Sequence, residues 1–225
     1  MIHVAILLRR YCGLVLGGQK TVESRLMRQG REPYGVVKAG ERVFLKQSGG
    51  PFVGMAEVGW VEEHAGLTPR RVAGLRERYE PAVCGDDAYW EGKSASRFAV
   101  FMGLERVEPM AVGPRYAVQA MRAWYALPEE VSPVREVVLR GGAVRNGYLS
   151  LPFASAKMRA SRVTLELPGG GVVETDFAKG AMLRSRVFGR LYAEHGVRGG
   201  DVVRLVRVGE RRYVVSFPRK DRAGE

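Results

Sequence analysis

At 225 residues and 46% apolar content, the chain is long enough to bury one large core or two small ones. Cys12 and Cys84 are its only cysteines and form no CxxC pair, which excludes a disulfide framework and a zinc ribbon. A formal charge of +12, with no basic amphipathic helix bearing a large aromatic face, favours nucleic acid over an anionic membrane as partner.

Ile2 to Leu8 is a short apolar run and reads as a buried strand. Two arginines cut it off, so the opening MIHVAILLRRY is neither a signal peptide nor a membrane span, and a soluble cytoplasmic protein is expected. Arg9 to Leu16 reads as a helix closed by Gly17-Gly18, and Thr21 to Arg25 as the next strand. Residues 28–40 hold Gly30, Pro33, Gly35 and Gly40 and read as a loop. Arg42 to Lys46 and Phe52 to Val61 read as strands around a Ser48-Gly49-Gly50-Pro51 turn, with bulges expected at Gly54 and Gly59. Thr68-Pro69 reads as an N-cap with proline at the first helical position, and Pro81 as the stop of that helix after Tyr79. Arg97 to Val107 is a further strand.

Residues 108–133 carry four prolines together with Trp124 and Tyr125, and read as a linker (111–133) containing a short helix. Beyond it, strands are expected at 134–139, 148–151, 162–167, 172–175, 201–208 and 212–217. Pro168-Gly169-Gly170-Gly171 is a hairpin turn, Ala181 to Glu194 a helix, and Lys220 to Glu225 a frayed tail. The fold class is therefore mostly β with inserted helices (α+β): a β-barrel-like domain over 1–110, the linker, and a second small barrel-like domain over 134–225. The charge shifts at the same boundary. Residues 1–133 hold 18 Lys+Arg against 15 Asp+Glu, whereas residues 134–225 hold 18 against 9. Arginine outnumbers lysine 29 to 7, which suits phosphates and base edges and equally fits a coding bias.

The densest polar signal is Gly18-Gln19-Lys20-Thr21-Val22-Glu23-Ser24-Arg25. On an extended segment Thr21, Glu23 and Arg25 share a face, with Lys20 at the bend. Two cations and a carboxylate beside a glycine turn suit a small site for an anion or a hydrogen-bonding base; an exposed ion pair is the bland alternative.

These residues, followed by Val37-x-Ala39-Gly40-Glu41-x-Val43, Gly54-x-Ala56-x-Val58, Tyr89-Trp90 and Arg97-Phe98-Ala99-Val100-Phe101, resemble the ASCH (activating signal cointegrator homology) family over roughly residues 1–110. The resemblance implies a pseudouridine-synthase-and-archaeosine-transglycosylase-like (PUA-like) barrel with an RNA-binding cleft at the motif. It also implies an alternative, because similar small members are amidohydrolases on acylated cytidine nucleosides or ribonucleases. In the amidohydrolases a lysine matching Lys20 is catalytic, but a threonine stands where this chain has Glu23. Glu57 and Glu62 match their second carboxylate only loosely. In the second half, Asn146-Gly147-Tyr148-Leu149-x-Leu151-Pro152, Glu174-Thr175-Asp176, Arg184-x-Arg186 and Gly200-Asp201-x-Val203 resemble a bacterial domain attached to restriction–modification genes and, broadly, pseudobarrel DNA-binding domains.

The expected ligand is nucleic acid, RNA rather than DNA for the first half, with DNA open for the second. Glu23 beside Lys20 stabilises a charged amine, so the pattern favours binding over chemistry. Arg25 can fork onto phosphate or guanine, and Glu23 can accept from a base edge. Tyr11, Tyr89 and Trp90 can stack on a base or fill the core; core is the preferred reading for Tyr11, and Trp90, flanked by Asp86-Asp87 and Gly92, is the candidate for the cleft. Arg159, Arg162, Arg184, Arg186 and Arg190 are the candidate phosphate contacts of the second half. His3, His64 and His195 are scattered without metal-ligand spacing, and no glycine-rich run leads into a Lys-Ser/Thr helix, so no metal or cofactor is expected. A protein-interaction adaptor is the third reading.

Overall fold

A computed structural model describes residues 1–178 and 180–218, with Arg184 described by its backbone alone. The tail expected to fray therefore lies outside the described residues, as does the Arg184 side chain. The chain divides into two compact units, Met1–Ser132 and a second beginning at Pro133. Both are mostly β with inserted helices.

The first unit is built on six strands, β1 (Ile2–Leu7), β2 (Val22–Met27), β3 (Arg42–Gln47), β4 (Phe52–Ala65), β5 (Phe98–Pro109) and β6 (Trp124–Leu127). They form one sheet in the order β2-β5-β4-β3-β1-β6, antiparallel except for the β1–β3 pair. A strand hydrogen-bonded on both sides and covered on both faces must be apolar throughout, and β1 reads Ile-His-Val-Ala-Ile-Leu. Its one polar member, His3, is fully buried and satisfied on both ring nitrogens, by Trp124 Nε1 at 3.2 Å and by Glu41 Oε2 at 2.8 Å.

Between β1 and β2 runs helix α1 (Arg9–Leu16), whose Cys12 and Val15 are buried on the sheet. Helices α2 (Pro69–Val83) and α3 (Asp87–Lys93) cover the other side of β2 and β5. Val72, Leu75, Tyr79, Val83 and Trp90 pack there with Val22, Leu26 and Phe101. Register shifts flank Gly59 in β4, and another falls between Leu45 and Lys46 opposite Gly54, so the bulges expected at these glycines are present. Gly103 is dictated by its neighbour, since any Cβ there would overlap the Trp60 indole.

Several local expectations need correction. Pro81 does not stop α2, which runs on to Val83 and ends at Cys84 in the left-handed conformation (φ 54°). Proline in the last turn removes one helical donor without blocking the residues after it. Helix α3, which the sequence reading did not assign, is capped by Asp86, which accepts from Tyr89 N–H at 2.8 Å. The segment 111–133 is not a linker with a short helix. Trp124–Leu127 is strand β6, paired antiparallel with β1, and helical geometry is confined to a 3₁₀ turn at Glu129–Val131. Its aromatic residues mark a strand whose Trp124 and Tyr125 are buried, and the prolines lie outside it.

The second unit holds a five-stranded sheet in the order β10-β9-β13-β12-β7, from β7 (Val134–Val138), β9 (Val163–Glu166), β10 (Val172–Thr175), β12 (Val202–Arg207) and β13 (Arg212–Ser216). A two-stranded ribbon pairs β8 (Tyr148–Ser150) with β11 (Met182–Arg184). Helices α4 (Gly141–Asn146), α5 (Ala156–Arg159) and α6 (Arg186–Glu194) complete it. The single helix expected over 181–194 is thus split. Residues 182–184 are taken by the ribbon, and Ser185 restarts the chain as the cap of α6, accepting from Val187 N–H at 3.3 Å. Asn146-Gly147 ends α4, with Gly147 in the left-handed region at φ 61°.

Candidate functional site: a cleft in the six-stranded sheet

The ladder of the first unit begins at β2 and ends at β6, and its two ends face each other across a cavity of about 760 Å³. Residues 23 to 27 of β2 form one wall. Ile6 and Leu7 of β1, with residues 119 to 124 leading into β6, form the other. Tyr11 of α1, Val83 at the end of α2, and Tyr89 and Lys93 of α3 close the ends. The volume lies within the range of small-ligand sites, roughly 300–1,000 Å³.

The polar centre is the motif itself. Alternation along β2 turns Val22 and Leu26 toward the helices and leaves Glu23 and Arg25 together on the cleft side. Glu23 is 4% exposed and sits between two cations, with Lys20 Nζ 3.3 Å from Oε2 and Arg25 Nε 2.8 Å from Oε1. Lys20, 3% exposed, also donates to the carbonyls of Val22 at 2.6 Å and Val83 at 3.0 Å. Two carbonyls and a carboxylate thus surround the amine, a setting that suits an ammonium. The Arg25 contact is ionic without hydrogen-bond alignment, leaving Nε–H unpartnered, while Nη2 donates to the Ile6 carbonyl at 3.2 Å.

Aromatic faces flank this centre. The Arg25 guanidinium lies 5.3 Å from the Trp124 ring, and Lys20 Nζ lies 5.4 Å from the Tyr11 ring. Tyr11 and Tyr89 meet edge to face at 6.3 Å, and the Tyr89 hydroxyl is 2.7 Å from Ser24 Oγ. Burial raises both tyrosine pKa values, so these phenols stay neutral donors. The 119–124 wall is braced by Arg122, which pairs with Glu32 at 2.5 Å and donates to the Trp124 carbonyl at 2.9 Å.

Of the residues singled out from sequence, Lys20, Glu23 and Arg25 meet in the cleft. Tyr11, read as core, lines it instead, half-buried. Trp90 does not line it: the ring is 3% exposed within the apolar cluster under α2, and its indole N–H is spent on Glu80, so no base can stack there. The polar flanks of Trp90 belong to the cap and surface of α3, which misled the reading. Sequence reasoning missed Ser24, Lys93, Arg122 and Trp124, because the last two reach the cleft only through the pairing of β6 with β1.

In the second unit Arg159, Arg162, Arg186 and Arg190 are exposed. Arg162 lies 3.5 Å from Glu174 and Arg190 2.6 Å from Glu194, so both are partly neutralised. Among the described residues no three or more His, Cys, Asp or Glu gather as a metal site, and no helix is long and apolar enough to cross a membrane.

No family model and no curated protein matches this chain. Among solved structures, it is similar to ASCH of Zymomonas mobilis. That likeness has 18% identity, covers 57% of this chain and 88% of the other, and gives a TM-score of 0.44. A mutant form of the same Zymomonas protein gives 17% identity and 0.46 over 57% of this chain and 89% of the other. A hypothetical Arabidopsis thaliana protein gives 8% identity and 0.30, covering 39% of this chain and 91% of its own.

Proposed function

We propose that the cleft of the first unit binds one unstacked nucleotide of an RNA strand, and that the basic second unit adds sequence-independent attraction to the phosphate backbone. The observation that carries this reading is the Lys20–Glu23–Arg25 triad at the cleft wall, flanked by the rings of Tyr11 and Trp124. A base offers flat π faces and an edge of alternating donors and acceptors. Glu23 keeps lone pairs for an exocyclic amine after serving its two cations, and the Arg25 guanidinium lines the cleft as a donor for a ring nitrogen or carbonyl.

Binding is favoured over the amidohydrolase and ribonuclease alternatives by the state of Lys20. Its Nζ donates to the Val22 and Val83 carbonyls and lies 3.3 Å from the Glu23 carboxylate, surroundings that favour a cationic amine over a nucleophile or base. Titrating short RNA and DNA strands while following Trp124 fluorescence tests the proposal. RNA should bind without being cleaved, and Arg25→Met should weaken binding at least about tenfold, as expected for loss of a charged hydrogen-bonding group. Turnover of RNA or of an acylated nucleoside, abolished in Lys20→Met, would replace this reading with the hydrolase.

A further inference from the structure

Five cations and two carboxylates line the cleft: Lys20, Arg25, Arg31, Lys93 and Arg122 against Glu23 and Glu32. Glu23 serves Lys20 and Arg25, Glu32 serves Arg122, and Arg31 donates to Gln29 at 2.5 Å. Lys93 is left over. Among the described residues its ammonium has neither carboxylate nor carbonyl partner, only the Tyr89 ring at 5.9 Å. It stands at the C-terminal end of α3, half-buried, facing the same cavity as Arg25. Burial, and then repulsion by Arg25, holds the Lys93 amine below its ordinary range. With Glu23 shared between Lys20 and Arg25, the cleft carries more cations than carboxylates, and an anion beside Lys93 and Arg25 would offset the excess.

We infer that Lys93 and Arg25 form a phosphate subsite, so that the cleft takes a phosphorylated nucleotide in preference to the bare nucleoside. This rests on the cleft reading proposed above and names the part of the ligand that the Lys20–Glu23–Arg25 triad alone leaves open. A terminal phosphate monoester would supply acceptors to both the ammonium and the guanidinium, and its negative charge would offset the surplus. The helix end accounts for a cation at position 93 but not for its facing another cation across a cavity.

The test is calorimetric titration of the full chain and of Lys93→Met, which keeps the stem and removes the charge. The probes are the four ribonucleosides, their 5′-monophosphates and inorganic phosphate. At least one monophosphate should bind the native protein about tenfold or more tightly than its nucleoside, and that gap should collapse in Lys93→Met. Equal affinity for nucleoside and monophosphate, or a gap that persists in Lys93→Met, would overturn the subsite and leave the cleft reading standing. Inorganic phosphate that binds while no nucleoside or monophosphate does would overturn the nucleotide subsite and the base reading together. Silence toward every probe would overturn both.

Discussion

Arg25 Nη2 donates to the carbonyl of Ile6 at 3.2 Å, which makes one guanidinium the bridge between two strands that share no backbone ladder. The strands on either side of the cleft are sequence neighbours, joined only through α1, yet they are separated by three strands in the sheet order. The proposed ligand contact and the closure of the cleft therefore fall on the same side chain.

Glu23→Gln should destabilise the first unit by about 3 kcal/mol or more, because it leaves Lys20 and Arg25 as buried like charges with no counter-ion. Urea unfolding measures this. Where the variant remains folded, its base preference should change more than its overall affinity, since the amide replaces one acceptor oxygen with a donor.

Trp90→Ala should cost about 3–5 kcal/mol, as large core truncations do. Its affinity for RNA under strongly native conditions should stay within about twofold of the parent, because the ring faces the α2 cluster and not the cleft. Trp124→Phe should behave in the opposite way, costing less stability and more affinity. Thermal melts paired with binding isotherms separate the two.

Acidification should weaken the first unit through His3. Burial lowers its pKa from the ordinary 6.5, and the neutral ring accepts from Trp124 while its other nitrogen faces Glu41. A depressed histidine contributes stability that is fully present above the unfolded value and declines as pH falls from 6.5 toward the folded value. Melts taken from pH 7 to pH 5 should drop, and His3→Gln, which cannot titrate, should flatten that slope whatever its own stability.

The phosphate subsite has its own pH signature. A lysine binds phosphate in its charged form, and the Lys93 amine is held below its ordinary range. Affinity for a nucleoside monophosphate should therefore fall with rising pH sooner than an unperturbed lysine would allow, and this limb should vanish in Lys93→Met. Calorimetry between pH 7 and pH 10 reads it.

Arg186→Ala together with Arg190→Ala should weaken binding to unrelated sequences alike. The salt slope should fall by about 0.7 for each single-strand phosphate that is no longer neutralised. The Arg186 share should be the larger, since Arg190 is already paired with Glu194 at 2.6 Å. Binding measured from about 50 to 200 mM salt gives the slopes.

Most strands of the first unit were legible because each declares itself locally: the apolar β1, the alternating β2 and β3, and the glycine-bent β4. The motif's three charged residues were readable for the same reason, since alternation alone puts Glu23 and Arg25 on one side. The opposite wall was not. Trp124 and Arg122 lie about a hundred residues from Lys20 in sequence and reach the cleft by a long-range pairing that no local pattern encodes. Pro-rich composition concealed β6, and the polar flanks of Trp90 suggested exposure where a helix cap was the cause. In the second unit, the split of 181–194 turned on Ser185, a capping residue with apolar periodicity on both sides.

The outline of the cleft is drawn by main chain. Where two strand edges stop short of zipping together, the width of the slot is set by how the ribbon curls and by the one guanidinium strut that spans it. Substitutions along its walls can change the guest it welcomes while the berth keeps its shape, and a family descended from this scaffold would be free to diversify its cargo faster than its architecture.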